Sequence, residues 1–233
     1  MRKFMETELP PRGASRHYIG ERGVRYFEYQ RHVGFIAGRL NVTKFSGFIR
    51  PFDTVVDFGC GGGYLLASLQ CARKLGVDVN PVARDIATGN GVEFHSRLEE
   101  IQDGTADTVI SNHALEHVLA PIDSLRGIFR ILRPGGKLVL CLPLDDWRRQ
   151  KRYSPADINH HLHTWTPLLI GHLLFEAGFV VKPEEIRVLR SAWPRYYPYL
   201  SQWCPDWLFR FTCLIWSILA KRRQVLAVAH RPS

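Results

Sequence analysis

The sequence has little that would crosslink it or carry it across a membrane. Its five cysteines, Cys60, Cys71, Cys141, Cys204 and Cys213, are scattered and odd in number, and no pair is spaced C-x-x-C. That argues against a disulfide framework or a thiolate zinc site and fits a reducing cytoplasm. No run reaches the roughly 20 apolar residues that a bilayer-spanning helix needs. The opening stretch MRKFMETELPPRGASRHY lacks an apolar core, so no secretory signal is expected. Repeats and low-complexity tracts are absent too. Acid is in the minority: 31 Lys and Arg against 22 Asp and Glu leave a formal charge of +9. Phosphates, nucleic acid or an acidic membrane surface would all be drawn to such a chain, and the charge alone does not choose.

What is present suffices for a core. Of the 233 residues 45% are hydrophobic and 12% aromatic, which excludes disorder and suits one domain with an appended segment. Residues 1–20, rich in Pro, Gly and charge, read as a loose arm, and ERGVRYFEYQRHVGFIAGRLNVTKF has helical spacing. From residue 51 short apolar runs alternate with amphipathic stretches. TVVDF, KLGVDV, VEFH, ADTVISN and KLVLCLPL read as strands; YLLASLQCA, PVARDIATGN and DSLRGIFRIL read as helices, the last stopping at Pro134-Gly135-Gly136. This order predicts βαβ units and a parallel sheet covered on both faces. Beyond Leu144 come a basic loop, DDWRRQKRY, and a helix, TPLLIGHLLFEAGF. VVKPEEIRVL has room for another strand, and a Pro- and aromatic-rich connection leads to an apolar helix over Trp207–Ala220. QVLAVAHRP is the last strand.

VVDFGCGGG places Asp57, Gly59, Gly61 and Gly63 in the spacing D-x-G-x-G-x-G between a strand and a helix. In a doubly wound sheet that loop faces the ligand crevice. Tyr64 stands where G-x-G-x-x-G needs its last glycine, which counts against NAD or FAD. No G-x-x-x-x-G-K-[ST] supports a triphosphate loop. Asp78 ends the second strand, where a carboxylate can accept ribose hydroxyls or simply cap a turn. In SNHALEHVLAP, His113, Glu116 and His117 spell H-x-x-E-H, the inverted zinc-protease pattern, with two imidazoles and a carboxylate on one helical face.

VVDFGCGGG, GVDVN, DTVISNHALEHV and LRPGGKLVLCLP together resemble, in order and distance, the motifs of class I S-adenosylmethionine-dependent methyltransferases. The resemblance covers about Phe52 to Val181. It implies a Rossmann-like, doubly wound, seven-stranded α/β sheet, mostly parallel with the last strand antiparallel. Residues 1–50 are then an N-terminal arm and helix forming part of a cap, and 51–233 the methyltransferase domain with a helical insertion at about 190–223. The resemblance implies S-adenosylmethionine as cofactor, bound by Asp57, Gly59, Cys60, Gly61, Gly63, Asp78, Leu98 and Asn112, with adenine near Arg97-Leu98. In this setting the protease pattern loses its force.

A subgroup of quinone-pathway and small-RNA methyltransferases carries E-x-x-E-H here with a distant histidine, and binds a divalent metal. This chain has His113 in place of the first glutamate and offers His161, in NHHLHTWT, as the distant donor. His117 and His161 are therefore candidate catalytic residues; a bound metal, a metal-free base and a purely structural role remain three open readings. DINHHLHTWTPLLIGHLLFEAGF resembles methyltransferases of polysaccharide and glycolipid assembly. That favours O-methylation of a sugar, glycan or other small-molecule hydroxyl. The alternatives are an RNA 2′-O-methyltransferase with a metal and a non-catalytic partner or scaffold protein. Arg148, Arg149, Lys151 and Arg152 would attract an anionic or lipid-linked substrate, and nucleic acid is disfavoured. For the Trp207–Ala220 helix, packing or homodimerisation is favoured over peripheral membrane contact.

Overall fold

The computed structural model describes residues 15–144, 152–189, 197–220 and 222–233. After a single turn at Arg16–Tyr18 come α1 (Gly20–Phe45), β1 (Thr54–Phe58), α2 (Tyr64–Ala67), β2 (Arg73–Val77), α3 (Ala83–Gly89) and β3 (Glu93–His95). There follow β4 (Ala106–Asn112), α4 (Pro121–Ile131), β5 (Leu132–Leu144), α5 (Pro167–Glu176), β6 (Ile186–Leu189), α6 (Tyr197–Trp203), α7 (Asp206–Leu219) and β7 (Arg223–His230).

The strands form one seven-stranded sheet in the order β3-β2-β1-β4-β5-β7-β6. The pairs β1–β2, β1–β4, β2–β3 and β4–β5 are parallel; β7 runs antiparallel to both β5 and β6. The strands carry continuous apolar runs because both faces are covered. Neighbouring residues diverge: Val55 packs with Phe27, Phe45 and Leu66 on one side, while Val56 packs with Leu125, Ile128 and Leu174 on the other. α4 is seated by Leu125, Ile128 and Ile131, all fully buried at helical spacing. Each such side chain contributes roughly 1.5–3 kcal/mol of burial. Thr166 caps α5, its hydroxyl accepting from Leu169 N at 3.1 Å, with Pro167 in the first turn.

Several expectations are corrected. Of the arm, residues 15–20 are folded against the domain, with Ser15 and Tyr18 buried. YLLASLQCA is helical only through Ala67. Pro134-Gly135-Gly136 lies inside β5, which starts directly after α4 and is thrown out of register against β4 between Ala106 and Thr108. Arg148, Arg149 and Lys151 lie outside the described residues, as do 190–196 of the insertion; Arg152 is exposed.

Parallel β1, β2 and β4 end at one edge of the sheet, so the segments after them converge there. α1 covers that edge, setting Phe35 edge-on to Tyr64 at 6.3 Å and accepting Asn80 Nδ2 at the Gly23 carbonyl, 2.9 Å away.

Candidate functional site

The segments after β1, β2 and β4, with α1 above, enclose a cavity of about 330 Å³, at the lower end of the roughly 300–1,000 Å³ common for small-molecule sites. Its floor is the glycine loop. Gly59, Gly61 and Gly63 all have left-handed φ, of 80°, 49° and 71°. A Cβ on Gly59 would fall 2.2 Å from Ala114 Cβ, whereas one on Gly61 would meet nothing within 4 Å and would stand in the cavity itself. Gly59 N and Cys60 N both donate to the Val77 carbonyl, at 2.8 and 3.1 Å, tying the loop to β2.

Asp78 organises the next wall. Its Oδ2 accepts from Gly61 N at 2.8 Å and its Oδ1 from Asn80 N at 2.9 Å. Burial raises its pKa and these two amides pull it back down. Asp57, at the end of β1, is also buried; desolvation first, and then the charge of Asp78, push it up to about 7. Burial lifts the Cys60 thiol well above its ordinary range, so it is a small packed group here and not a nucleophile.

The other end of the cavity is made after β4. Asn112 lines it, and its Oδ1 is buried with no hydrogen-bond partner among the described residues; the same holds for Asn41 Oδ1 on α1. The next residue, His113, takes φ 56°, which breaks the chain direction before the single turn Leu115–His117. H-x-x-E-H therefore does not lie on one helical face. His113 lines the cavity too, but its Nε2 points to Gln224 Nε2, 2.6 Å distant, and Gln224 Oε1 accepts from the half-buried Lys44 Nζ at 2.7 Å. Burial holds the Lys44 pKa down.

Glu116 and His117 face the segment that carries His161. Leu162 N and His163 N donate to the Glu116 carbonyl at 2.8 and 3.2 Å, pinning that segment in place. The His117 and His161 rings meet edge to face with centroids 4.9 Å apart. One ligand atom each from Glu116, His117 and His161 lie within 4.8 Å of one another. His113 falls outside this trio, although its Nδ1 is 3.6 Å from Glu116 Oε1. Burial, followed by the charge of His161, depresses His117 to about 4, so its ring is neutral at physiological pH.

Tyr18 closes the arrangement. Its hydroxyl is 2.7 Å from His117 Nδ1 and donates to the Asn159 carbonyl at 3.0 Å. One hydroxyl proton cannot serve both neighbours, so the direction of this O–H and the proton on His117 Nδ1 are coupled. Burial, with the neighbouring Tyr26 next, raises the Tyr18 pKa and keeps the phenol protonated.

A methyltransferase-domain family model matches residues 28–184, two thirds of the sequence. The chain belongs to that family. It is a class I S-adenosylmethionine-dependent methyltransferase, and S-adenosylmethionine is its cofactor. Over 98 residues it is 37% identical to the ubiquinone biosynthesis O-methyltransferase of Xanthomonas euvesicatoria, covering 37% of this chain and 41% of that one. Over 164 residues it is 31% identical to the protein of the same name from Ruegeria pomeroyi, covering 60% of this chain and 64% of the relative. The matched stretch is thus less than two thirds of each relative. The fold also superposes, with a TM-score of 0.66 and 20% identity, on a chain in the complex of the Haloferax volcanii Trm112 methyltransferase activator and a methyltransferase. That match covers 92% of this chain and 100% of the other.

The cavity of this methyltransferase fits the cofactor on its own chemistry. The ammonium, hydroxyls and amine of S-adenosylmethionine are donors, and the walls offer the buried carboxyl of Asp57, the half-buried one of Asp78 and two amide oxygens with no partner among the described residues. The structure gathers Asp57, Gly59, Cys60, Gly61, Asp78, Asn112, His117 and His161 around the cavity. Gly63 stands just behind them at the start of α2. Leu98 is set apart: its side chain is in the core with Leu125 and Ile128, and Arg97 is exposed. Sequence reasoning missed Tyr18, Tyr26, Gln30 and Asn41, which reach the cavity from α1 and the turn before it. The one signal for Asn41 is an amide among apolar residues on the inward stripe of α1.

Proposed function

We propose that this methyltransferase methylates a hydroxyl oxygen of a small-molecule or glycan acceptor. The observation that carries the reading is the meeting of Glu116, His117 and His161 at the Asn112 end of the cavity. S-adenosylmethionine supplies a methyl group already activated on a sulfonium. The chain must align the acceptor, a contribution of about 7–11 kcal/mol, and take up the hydroxyl proton, a gain of about 10²–10⁴-fold. Asp78 would hold the ribose hydroxyls, the open face of Gly61 admits the cofactor, and Asn112 borders the acceptor space. Two relatives named as O-methyltransferases support oxygen as the acceptor atom. Arg31 on the cavity wall and the charge of +9 support an acidic or lipid-linked acceptor.

The depressed His117 pKa of about 4 bears on where the proton goes. So weak a base removes a hydroxyl proton poorly at neutral pH, yet a neutral imidazole is a good metal ligand. This favours a second reading, in which Glu116, His117 and His161 hold a divalent cation that lowers the pKa of the acceptor hydroxyl. Two nitrogens and a carboxylate suit zinc or manganese better than magnesium. In either reading Tyr18 and Asn159 fix the His117 ring.

The deciding experiment supplies purified protein with labelled S-adenosylmethionine and phenolic, sugar and RNA acceptors, and follows label transfer and S-adenosylhomocysteine release. Transfer to a phenol or sugar hydroxyl supports the proposal. Transfer only to RNA, with a steep loss at higher salt, would replace it with the 2′-O reading. Transfer to none of the hydroxyl acceptors, with label passing to a nitrogen or carbon acceptor instead, would overturn the oxygen reading.

A further inference from the structure

α7 is apolar around most of its circumference, with Asp206 and Arg210 exposed on one side, and so much apolar surface calls for partners on more than one face. Its inner face has one: Phe209 and Ser217 are buried, and Thr212 and Cys213 are half-buried. Its outer face has none among the described residues. Trp207, Phe211, Leu214, Ile215, Ile218 and Leu219 recur at helical spacing as one exposed stripe, and Trp203 at the end of α6 extends it. Trp203, Trp207 and Leu219 are 84%, 70% and 72% exposed, more than scattered surface hydrophobics explain.

Charge indicates what covers the stripe. Exposed Arg210 flanks it, and exposed Arg222 and Arg223 follow its C-terminal end. α6 is seated on α1 through Tyr197 Oη, which donates to the Val33 carbonyl at 3.4 Å, and α1 carries exposed Arg39 six residues further on. The one acid within α7 is engaged: Asp206 Oδ2 accepts from Arg210 Nε at 2.7 Å. An apolar stripe with tryptophans at one end and arginines around it matches a headgroup–acyl boundary carrying negative charge. A second copy of this chain would instead bring one +9 molecule against another. At 14 residues α7 is only about 21 Å long, and no described helix is long and apolar enough to cross a membrane, so α7 would lie in the interface plane.

We infer that α7, with Trp203, is an anchor that docks the protein on anionic lipid bilayers. The topology gives the anchor a definite relation to the cavity. β6 runs parallel to β1 and β7 runs against it, so the α6–α7 insertion leaves and re-enters the sheet at the edge where the cavity lies. Docking would therefore turn the cavity edge toward the bilayer. The inference stands whether or not the acceptor is a hydroxyl.

The test is flotation of the full chain with vesicles of phosphatidylcholine containing about a third phosphatidylglycerol, against phosphatidylcholine alone. The expected result is at least tenfold stronger binding to the anionic vesicles, weakened by salt, with tryptophan fluorescence quenched by bromine-labelled lipid. The double variant Phe211→Ser, Ile218→Ser should lose at least tenfold in vesicle binding while binding S-adenosylmethionine unchanged by calorimetry, which also reports its folding. Failure of the unaltered chain to bind anionic vesicles or to show quenching would overturn the inference. So would a folded double variant that binds equally well, or light scattering showing a dimer that the double variant dissolves.

Discussion

Tyr18 Oη lies 2.7 Å from His117 Nδ1, joining residues 99 positions apart in the sequence. The contact makes the turn before α1 part of the cavity wall, because the one hydroxyl proton is shared between the imidazole and the Asn159 carbonyl. Tyr18→Phe removes the hydroxyl and little volume. Turnover should fall roughly tenfold, the scale of one hydrogen bond, and the pH profile of turnover should shift. An unchanged profile with lower stability would reduce Tyr18 to a packing residue.

His161→Ala should lower turnover by about 10²–10⁴-fold and leave S-adenosylmethionine affinity within about threefold, because His161 lies beside His117 and Glu116, where the proposed reaction places the acceptor. Elemental analysis of the purified protein separates the two routes for the proton. With a metal, the unaltered chain carries about one equivalent that chelation and His161→Ala both remove. With a metal-free base, chelation has no effect on rate.

Asp78→Asn should weaken S-adenosylmethionine binding by about 10- to 100-fold, the 1.5–3 kcal/mol expected of a charged hydrogen bond. Its carboxylate also accepts from Gly61 N and Asn80 N, so Asp78→Ala should cost melting temperature as well as affinity. Calorimetry and thermal melts of both variants check the difference.

Asp57 gives a pH dependence of stability. Its carboxyl titrates near 7 in the folded chain, against an ordinary value of 3.8. Between these values the native state holds a proton that the unfolded chain has lost, so Asp57 subtracts stability as pH rises from about 4 to 7. In cofactor-free protein, Asp57→Asn should flatten that part of the melting-temperature profile. An identical slope in the variant would show that Asp57 is ionised throughout.

Much of this architecture is legible in the sequence because it is local. TVVDF and ADTVISN are strands with the bounds their apolar runs predict, and D-x-G-x-G-x-G marks a loop whose glycines take left-handed φ. Asp78 is legible as a strand-end acid, though its bonds to Gly61 and Asn80 are not. Where the reading goes wrong, tertiary contact overrides period. Helical spacing put His113, Glu116 and His117 on one face, but the left-handed turn at His113 sends its ring toward Gln224. The loose arm was read from Pro, Gly and charge, none of which can register that Tyr18 finds His117 across the fold. The family resemblance suggested Leu98 for the cofactor, while its side chain packs in the core. The His117–His161 pairing is foreseeable only through family resemblance, since no periodicity links the two.

β7 has a consequence for assembly. Eight residues, Arg223 to His230, form the ladder against β5, and four of them also hold β6. Of the seven strands this one emerges last from the ribosome, yet its place is between two others. Until it arrives, β5 offers an open edge through Leu138, Leu140 and Leu142, with no native neighbour yet made. The nascent chain is then most exposed to strand exchange and aggregation, so insertion of β7 should be the step at which chaperones matter most to its yield.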